Sequence, residues 1–189
     1  DHRRSSLKAA RATGHEPPPP GTRTHVRRAI ALSALCLSTA FAGAFALPGA
    51  RDLAADARDA RDNGRPLLVL YSQAGCTWCE EARRYIVPIA AAPETRDQAL
   101  FRQVDIDSDA ELIDFTAQAS SHRRFAQAQQ VSLTPTVVLY GPDGRVIGEP
   151  IVGMRLPDFY AQYLLNAVDA ARAEIATQVQ ETPHTGPSR

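Results

Sequence analysis

The sequence predicts an α/β fold of three layers, in which a mixed central sheet carries helices on both faces. Two observations lead to this prediction. From residue 52 onward, apolar runs of strand length alternate with segments of helical periodicity, a pattern typical of βαβ units with parallel strands. The last two runs are instead separated by the turn signal Gly141-Pro142-Asp143-Gly144, which predicts an antiparallel hairpin.

Four elements are predicted in the first half of this region. Asp52–Asn63 is rich in Ala, Asp and Arg and is predicted to be a helix that ends at Gly64. Pro66–Ser72 is a continuous apolar run, typical of a strand buried on both faces. A helix with one apolar stripe is predicted for Cys76–Ala91, and a second strand for Ala99–Ile106.

The second half begins with a segment that the pattern does not resolve. Leu112–Phe115 is apolar but too short to assign. A helix is predicted for His122–Gln130 and a third strand for Thr136–Tyr140, where Val-Val-Leu is flanked by Thr and Tyr.

The chain then returns along the sheet and ends in a helix. Arg145–Val152 is predicted to be a fourth strand, and Pro150 places it at a sheet edge because proline has no N–H to donate to a neighbouring strand. Pro157 opens a final helix. We expect one folded domain over residues 47–180 and a disordered polar tail over residues 181–189.

Residues 26–46 are predicted to be a secretory signal peptide or an N-terminal membrane anchor. The uncharged run 29–47 directly follows Arg27 and Arg28, and Ala44-Phe45-Ala46 matches the small-x-small pattern of a signal-peptidase site. The run is also near the roughly 20 residues that a membrane span needs. Either alternative places the following domain outside the cytoplasm, because arginine-rich flanks stay inside.

Residues 1–25 are predicted to be a disordered extension. They are rich in basic residues, include the run Pro17–Pro20, and contain little that could build a core. The chain begins with Asp1 rather than Met. We expect translation to start at Val26 from an alternative initiation codon, which leaves a conventional short n-region.

The charge balance and the cysteine count exclude several classes of protein. Lys and Arg number 21 and Asp and Glu also number 21, so no basic excess argues for a nucleic-acid partner. Three cysteines are too few for a disulfide-stapled scaffold. Cys36 lies inside the apolar leader and would be lost with a cleaved signal.

Cys76-Thr77-Trp78-Cys79 carries the strongest functional signal. The motif follows a predicted buried strand and opens a predicted helix. There the unpaired N–H groups and the positive end of the helix dipole favour a thiolate, which is the species that attacks disulfides. The pair therefore predicts dithiol–disulfide exchange.

Other chemistries of the pair stay open. A structural disulfide is one, although a bridge that closes so short a loop restrains the unfolded chain little. A copper carrier is another, because two soft thiolates suit Cu(I). A closed zinc site needs about four ligands, and the sequence offers no second Cys pair or Cys/His cluster, so no metal ligand is assigned.

The chain resembles the thioredoxin superfamily over about residues 52–178. The order of elements matches, and Pro135 in Val131–Thr136 falls where thioredoxin-like proteins carry a cis proline before their third central strand. Gly153 before the last helix also matches. The extra segment Ala110–Ser121 is similar to an insertion common in exported, periplasmic bacterial thioredoxin-like proteins.

The resemblance implies the site residues and their roles. Cys76 would be the exposed nucleophile and Cys79 the buried resolving thiol. Pro135 would shape a substrate groove, and the backbone of Thr134 would pair with an extended substrate. Apart from the resemblance, the position of Trp78 between the cysteines allows two interpretations, a substrate platform beside the thiol or simple surface packing.

One departure from the family concerns the site itself. Leu70 stands where thioredoxins carry a buried aspartate beneath the second cysteine. The proton acceptor for Cys79 therefore does not follow from the resemblance. On the helix surface, we expect Arg84 to pair with Glu80 at i,i+4 spacing.

The predicted function is exported thiol–disulfide exchange, with the protein acting as a reductant of envelope protein disulfides. The alternatives are the copper carrier and an oxidant-type disulfide former. The resemblance implies no cofactor, protein disulfides or dithiols as partners, a membrane dithiol relay as electron source, no nucleic acid, and a periplasmic monomer.

Overall fold

The computed structural model describes residues 46–154 and 157–181. The predictions for the extension, for nearly all of the leader and for residues 182–189 lie outside the described residues. The elements, in chain order, are α1 (Leu53–Asp62), β1 (Leu67–Ser72), α2 (Thr77–Ala91), β2 (Leu100–Asp105), β3 (Glu111–Ile113), β4 (Ala119–Ser121), α3 (His122–Ala128), β5 (Thr136–Tyr140), β6 (Val146–Val152) and α4 (Tyr160–Glu181).

The central sheet is mixed, and the predicted three-layer α/β fold is confirmed. Its strand order is β2-β1-β5-β6. β1 runs parallel to β2, as a βαβ unit requires. β5 is antiparallel to both β1 and β6, so the predicted hairpin is confirmed. β1 therefore lies inside the sheet, and all six of its residues are buried.

β1 divides the core because successive side chains of a strand point to opposite faces. Leu68 and Leu70 belong to an aliphatic cluster with residues of α2 and α4. Leu67, Val69 and Tyr71 belong to a second cluster with residues of α1 and α3. Each face of the sheet thus has its own core, which is why the sequence of β1 is a continuous apolar run.

Side-chain caps set the starts of three helices. Asp52 Oδ1 accepts from Ala55 N at 2.7 Å ahead of α1. Ser121 Oγ accepts from Arg124 N at 3.3 Å ahead of α3. Cys76 caps α2 in the same way through its sulfur. Such caps satisfy N–H groups that have no partner within the helix.

The two edges of the sheet differ in cover. At β2, a backbone segment before α1 adds a short parallel bridge: Ala50 N donates to Gln103 O at 2.8 Å, and Gln103 N donates to Pro48 O at 2.9 Å. At β6, Pro150 lies on the exposed edge strand, where the sequence placed it.

β3 and β4 form a second, two-stranded antiparallel sheet that the sequence left unassigned. Its turn is held by Asp114 Oδ1, which accepts from Thr116 N at 2.8 Å and from Gln118 N at 3.0 Å. Ile113 N donates to Arg51 O at 2.8 Å and ties the hairpin to the start of α1. The inserted segment predicted for residues 110–121 is therefore a hairpin.

The final helix begins in two stages. Pro157–Phe159 forms one turn of 3₁₀-helix, and α4 follows from Tyr160. α4 includes Glu181, one residue beyond the predicted end of the domain. In the described residues, no helix combines the length and the apolar character of a membrane span.

Candidate active site

Cys76 and Cys79 are joined by a disulfide at the start of α2, with an S–S distance of 2.13 Å. Cys79 N donates to Cys76 Sγ at 3.1 Å, so the first sulfur lies against the open N–H groups of the helix. Cys76 is partly exposed, whereas Cys79 is fully buried. After reduction, the helix dipole and these N–H groups would favour a thiolate at Cys76.

Gly75 gives the chain the turn that precedes the pair. Its φ is +68°, a left-handed backbone conformation that residues other than glycine rarely adopt. A Cβ built on Gly75 would meet no atom within 4 Å. The backbone conformation, and not lack of space, therefore requires glycine next to Cys76.

The predicted substrate-binding residues Thr134 and Pro135 lie beside the disulfide although they are far from it in sequence. Thr134 Oγ1 donates toward Cys76 Sγ at 3.7 Å. The Thr134–Pro135 peptide bond is cis, and Pro135 is buried. Pro135 O accepts from Gly153 N at 2.8 Å, which fixes this loop to the end of β6.

Two large apolar side chains flank the site along the chain and face solvent. Trp78, between the cysteines, is 60% exposed, and Leu133, next to Thr134, is 64% exposed. Scattered exposed apolar residues are common. These two border the residues that contact Cys76, so they present apolar surface to whatever approaches the sulfur.

Arg83 lies near the site, and its hydrogen-bond partners were not predicted from the sequence. Its guanidinium donates to Ser72 Oγ at 2.9 Å, to Gln103 Oε1 at 3.4 Å and to Glu80 Oε1 at 2.7 Å. The expected Glu80–Arg84 pair is wrong. Glu80 binds Arg83, and Arg84 binds Glu81 at 3.2 Å, both at i,i+3 spacing. The hydrogen bonds to Ser72 and Gln103 hold the guanidinium of Arg83 in a position from which its other nitrogen binds Glu80.

The loop before the cysteines is tied to the end of β2. Ala74 N donates to Asp107 Oδ2 at 3.0 Å, and Arg123 donates to Asp107 O at 2.6 Å. Arg123 also pairs with Asp109 at 2.9 Å, and hydrogen bonding to the guanidinium, with its charge, lowers the pKa of that carboxyl. A polar cleft of 610 Å³ lies between this loop and α2.

A fold with one mixed sheet and a redox-active pair at the start of a helix defines a class of dithiol–disulfide proteins. The family model described as a thioredoxin-like domain matches residues 53–167. This match covers more than half of the 189-residue chain, and the chain belongs to the thioredoxin-like family. No curated protein matches the chain significantly.

Solved structures of thioredoxins are similar to this chain. Trxlp from Edwardsiella tarda is 23% identical, over 63% of this chain and 98% of its own, with a TM-score of 0.46. Fasciola hepatica thioredoxin is 17% identical, over 66% and 99%, with a TM-score of 0.46. Oxidized thioredoxin O2 from Arabidopsis thaliana is 19% identical, over 62% and 84%, with a TM-score of 0.43.

Proposed function

We propose that this protein is an exported thiol–disulfide oxidoreductase that reduces disulfides of envelope proteins. The observation that carries the proposal is the position of the pair. Cys76 caps α2 and is partly exposed, and Cys79, to which it is disulfide-bonded, is buried one turn away. This asymmetry suits a nucleophile and a resolving thiol.

The proposed reaction has two exchange steps. The thiolate of Cys76 attacks one sulfur of a substrate disulfide, forms a mixed disulfide and releases the other substrate sulfur as a thiolate. Cys79 then loses its proton to solvent and attacks Cys76 Sγ. The Cys76–Cys79 bond forms, the bond to the substrate breaks, and the electron pair leaves with the second substrate sulfur. The substrate gains two electrons and the protein becomes the disulfide.

The surface around Cys76 supports an extended protein substrate. The loop at Thr134 lies against the reacting sulfur, and an extended peptide that pairs with its backbone would present a cysteine there. Trp78 and Leu133 would bury apolar side chains on either side. A small thiol would use neither surface.

Export is proposed from the sequence of residues 26–46. The first residue after the Ala44–Ala46 site is Leu47, which is 6% exposed and belongs to the aliphatic core. Leu47, which cleavage at this site would make the first residue, is therefore part of the folded domain. Protein isolated from its native host is expected to begin near Leu47 or to keep the segment as an anchor, and mass spectrometry distinguishes these two outcomes.

The function is tested with two single cysteine variants in a Cys36→Ser background, which leaves Cys76 and Cys79 as the only thiols. The reduced parent protein is expected to reduce insulin disulfides. Cys79→Ser is expected to attack but to stall as a mixed disulfide, because no second thiol resolves it. Cys76→Ser is expected neither to react nor to trap a partner, because Cys79 is buried.

The same variants separate the proposal from the copper carrier. A carrier would lose tight Cu(I) binding equally in both variants, and its parent protein would leave insulin disulfides intact. That pattern, with no partner trapped by Cys79→Ser from an envelope extract, would overturn the proposal. Equilibrium with glutathione then gives the direction: a strongly oxidising potential would favour a disulfide former over a reductant.

A further inference from the structure

We propose that Arg83 stabilises the thiolate of Cys79 and so sets the rate at which the mixed disulfide is resolved. The inference rests on the proposed function, because Cys79 must ionise to act as the resolving thiol. Cys79 is fully buried, and burial in apolar surroundings disfavours the charged form of a thiol. Leu70 of β1 is also fully buried, and as a leucine it supplies no carboxylate.

Helix geometry places Arg83 over Cys79. The two residues are four apart on α2, a spacing that puts Cβ atoms about 5–6 Å apart on one face. Long helical side chains lean toward the N-terminal turn, and Arg83 does so, since its guanidinium donates to Ser72 Oγ and not to any group further along α2 among the described residues. The charge is therefore held over the turn that carries Cys79.

The surroundings of Arg83 leave its positive charge only weakly screened by water on the side of the buried Cys79. Its side chain is only 16% exposed, while that of Glu80 is 70% exposed. Water screens the exposed carboxylate more strongly than the enclosed guanidinium. One nitrogen of Arg83 binds Ser72 and Gln103 on the sheet, and the other binds Glu80 at the surface.

Two further carboxylates line the same cleft, Asp105 and Asp107. Asp105 Oδ1 accepts from Gln103 Nε2 at 2.7 Å, and Asp107 Oδ2 accepts from Ala74 N at 3.0 Å. Both belong to the end of β2 or the loop after it, whereas Arg83 shares a helix face with Cys79. Of the two cations on α2, Arg83 and Arg84, Arg83 is the one at i,i+4 spacing from the resolving cysteine.

The test titrates Cys79 alone, in the full chain with Cys36→Ser and Cys76→Ser, by the ultraviolet absorbance of the thiolate. Arg83→Met is expected to raise the pKa of Cys79 by about one pH unit, since an opposite charge at this range lowers a pKa by about that amount or more. Arg83→Lys keeps the charge and is expected to stay near the parent value.

Arg84→Met is the matched control. It removes the same charge one residue along α2, but the side chain of Arg84 is 76% exposed and binds Glu81. It is expected to leave the titration of Cys79 unchanged. If Arg83→Met and Arg84→Met titrate alike, the proposal is overturned. Should Arg83→Met fail to fold, Arg83→Gln, which can still donate to Ser72, carries the comparison.

A kinetic readout comes from the reaction of the reduced two-cysteine protein with Ellman's reagent, which releases one thionitrobenzoate at each exchange step. Arg83→Met is expected to slow the second release about threefold at neutral pH and to leave the first unchanged. The thiolate fraction falls about tenfold, and greater nucleophilicity offsets part of the loss. Equal slowing of both releases would contradict the assignment to Cys79. Failure to reduce insulin would instead count against the proposed function and leave the titration valid.

Discussion

The two faces of the central sheet are packed in different ways. One face, the aliphatic face, packs against α2, and its buried cluster includes Leu68, Leu70, Ile86 and Leu164. The opposite face, the aromatic face, adds the buried rings of Tyr71, Phe125 and Tyr140 to its aliphatic residues, and the two tyrosine hydroxyls are its buried polar groups. There Tyr71 stacks on Phe125 with ring centroids 6.3 Å apart, and its hydroxyl lies 2.6 Å from that of Tyr140.

We infer from this difference that the aromatic face contributes to the stability of the fold, whereas the reactivity of the thiols depends on the other face. The aliphatic face offers few polar partners to a buried sulfur, and the charge proposed to act on Cys79 is that of Arg83, which lies on α2 outside this cluster. On the aromatic face, the buried hydroxyls are hydrogen-bonded within the face: Tyr71 and Tyr140 bond to each other, and Tyr140 Oη also donates to Gln129 Oε1 at 3.3 Å. Changes on the aromatic face should therefore alter stability without altering the thiols.

The largest expected effect tests that separation directly. Phe125→Ala removes a 3% exposed ring that contacts both Tyr71 and Phe115, and the cavity is expected to cost about 4 kcal/mol of unfolding free energy. Urea denaturation measures the loss. The pKa of Cys79 is expected to stay at the parent value, and a shift would show that the two faces are coupled.

A smaller effect is expected at alkaline pH with the oxidised Cys36→Ser protein, in which Cys76 and Cys79 form the disulfide and do not titrate. Burial raises the pKa of Tyr140 from its ordinary value of 10.0 to about 12, and burial also raises the pKa of Tyr71. The folded state then holds protons that the unfolded state has lost, so stability is full below about pH 10 and falls as pH rises toward 12.

For Tyr140 alone the loss approaches about 2–3 kcal/mol. Thermal unfolding at a series of pH values measures it. Tyr140→Phe is expected to flatten the fall, and an unchanged slope would show that Tyr140 does not carry it.

The smallest effects compare one tyrosine hydroxyl from each face. Tyr71→Phe takes from Tyr140 its closest partner and is expected to cost about 1 kcal/mol. Tyr160, on the aliphatic face, has a buried hydroxyl with no hydrogen-bond partner among the described residues. Tyr160→Phe is therefore expected to be neutral or slightly stabilising in urea denaturation. Equal losses in the two variants would contradict the comparison.

Much of the fold could be predicted because its elements have strong periodicity. The predicted strand Pro66–Ser72 differs from β1 by one residue, and the predicted helix Cys76–Ala91 differs from α2 only in that Cys76 is the cap. The β3–β4 hairpin was missed because strands of three residues carry too little periodicity, and its turn depends on hydrogen bonds to Asp114.

The cysteine pair of the candidate site could be predicted, but the groups around it could not. Spacing alone allowed Glu80 to pair with Arg84, and the observed choice of Arg83 depends on Ser72, which belongs to another element. His122 begins α3, as predicted, but its contacts could not be predicted: its ring accepts from Asp105 N at 3.0 Å and bonds to Ala50 O at 2.8 Å. Such partners come together only through the tertiary fold.

The contact between Phe115 and Gly144 is another feature that forms only through the tertiary fold and could not be predicted. A Cβ on Gly144 would come within 2.8 Å of the Phe115 side chain, so the turn before β6 must be glycine for the ring to pack. The sequence marked Gly144 only as part of a turn signal. Its partner lies in the segment after β3 that the sequence left unassigned.

The exposed edge of β6 bears on how this protein behaves at high concentration. A free strand edge is a template on which further chains can add and begin ordered aggregates. Here Pro150 interrupts the row of N–H donors, Glu149 adds charge, and the pairing of β5 with β6 shifts register between Val137 and Leu139. Each irregularity removes part of the repeating pattern that a growing fibril copies, so the exposed edge is a poor template for adding further chains.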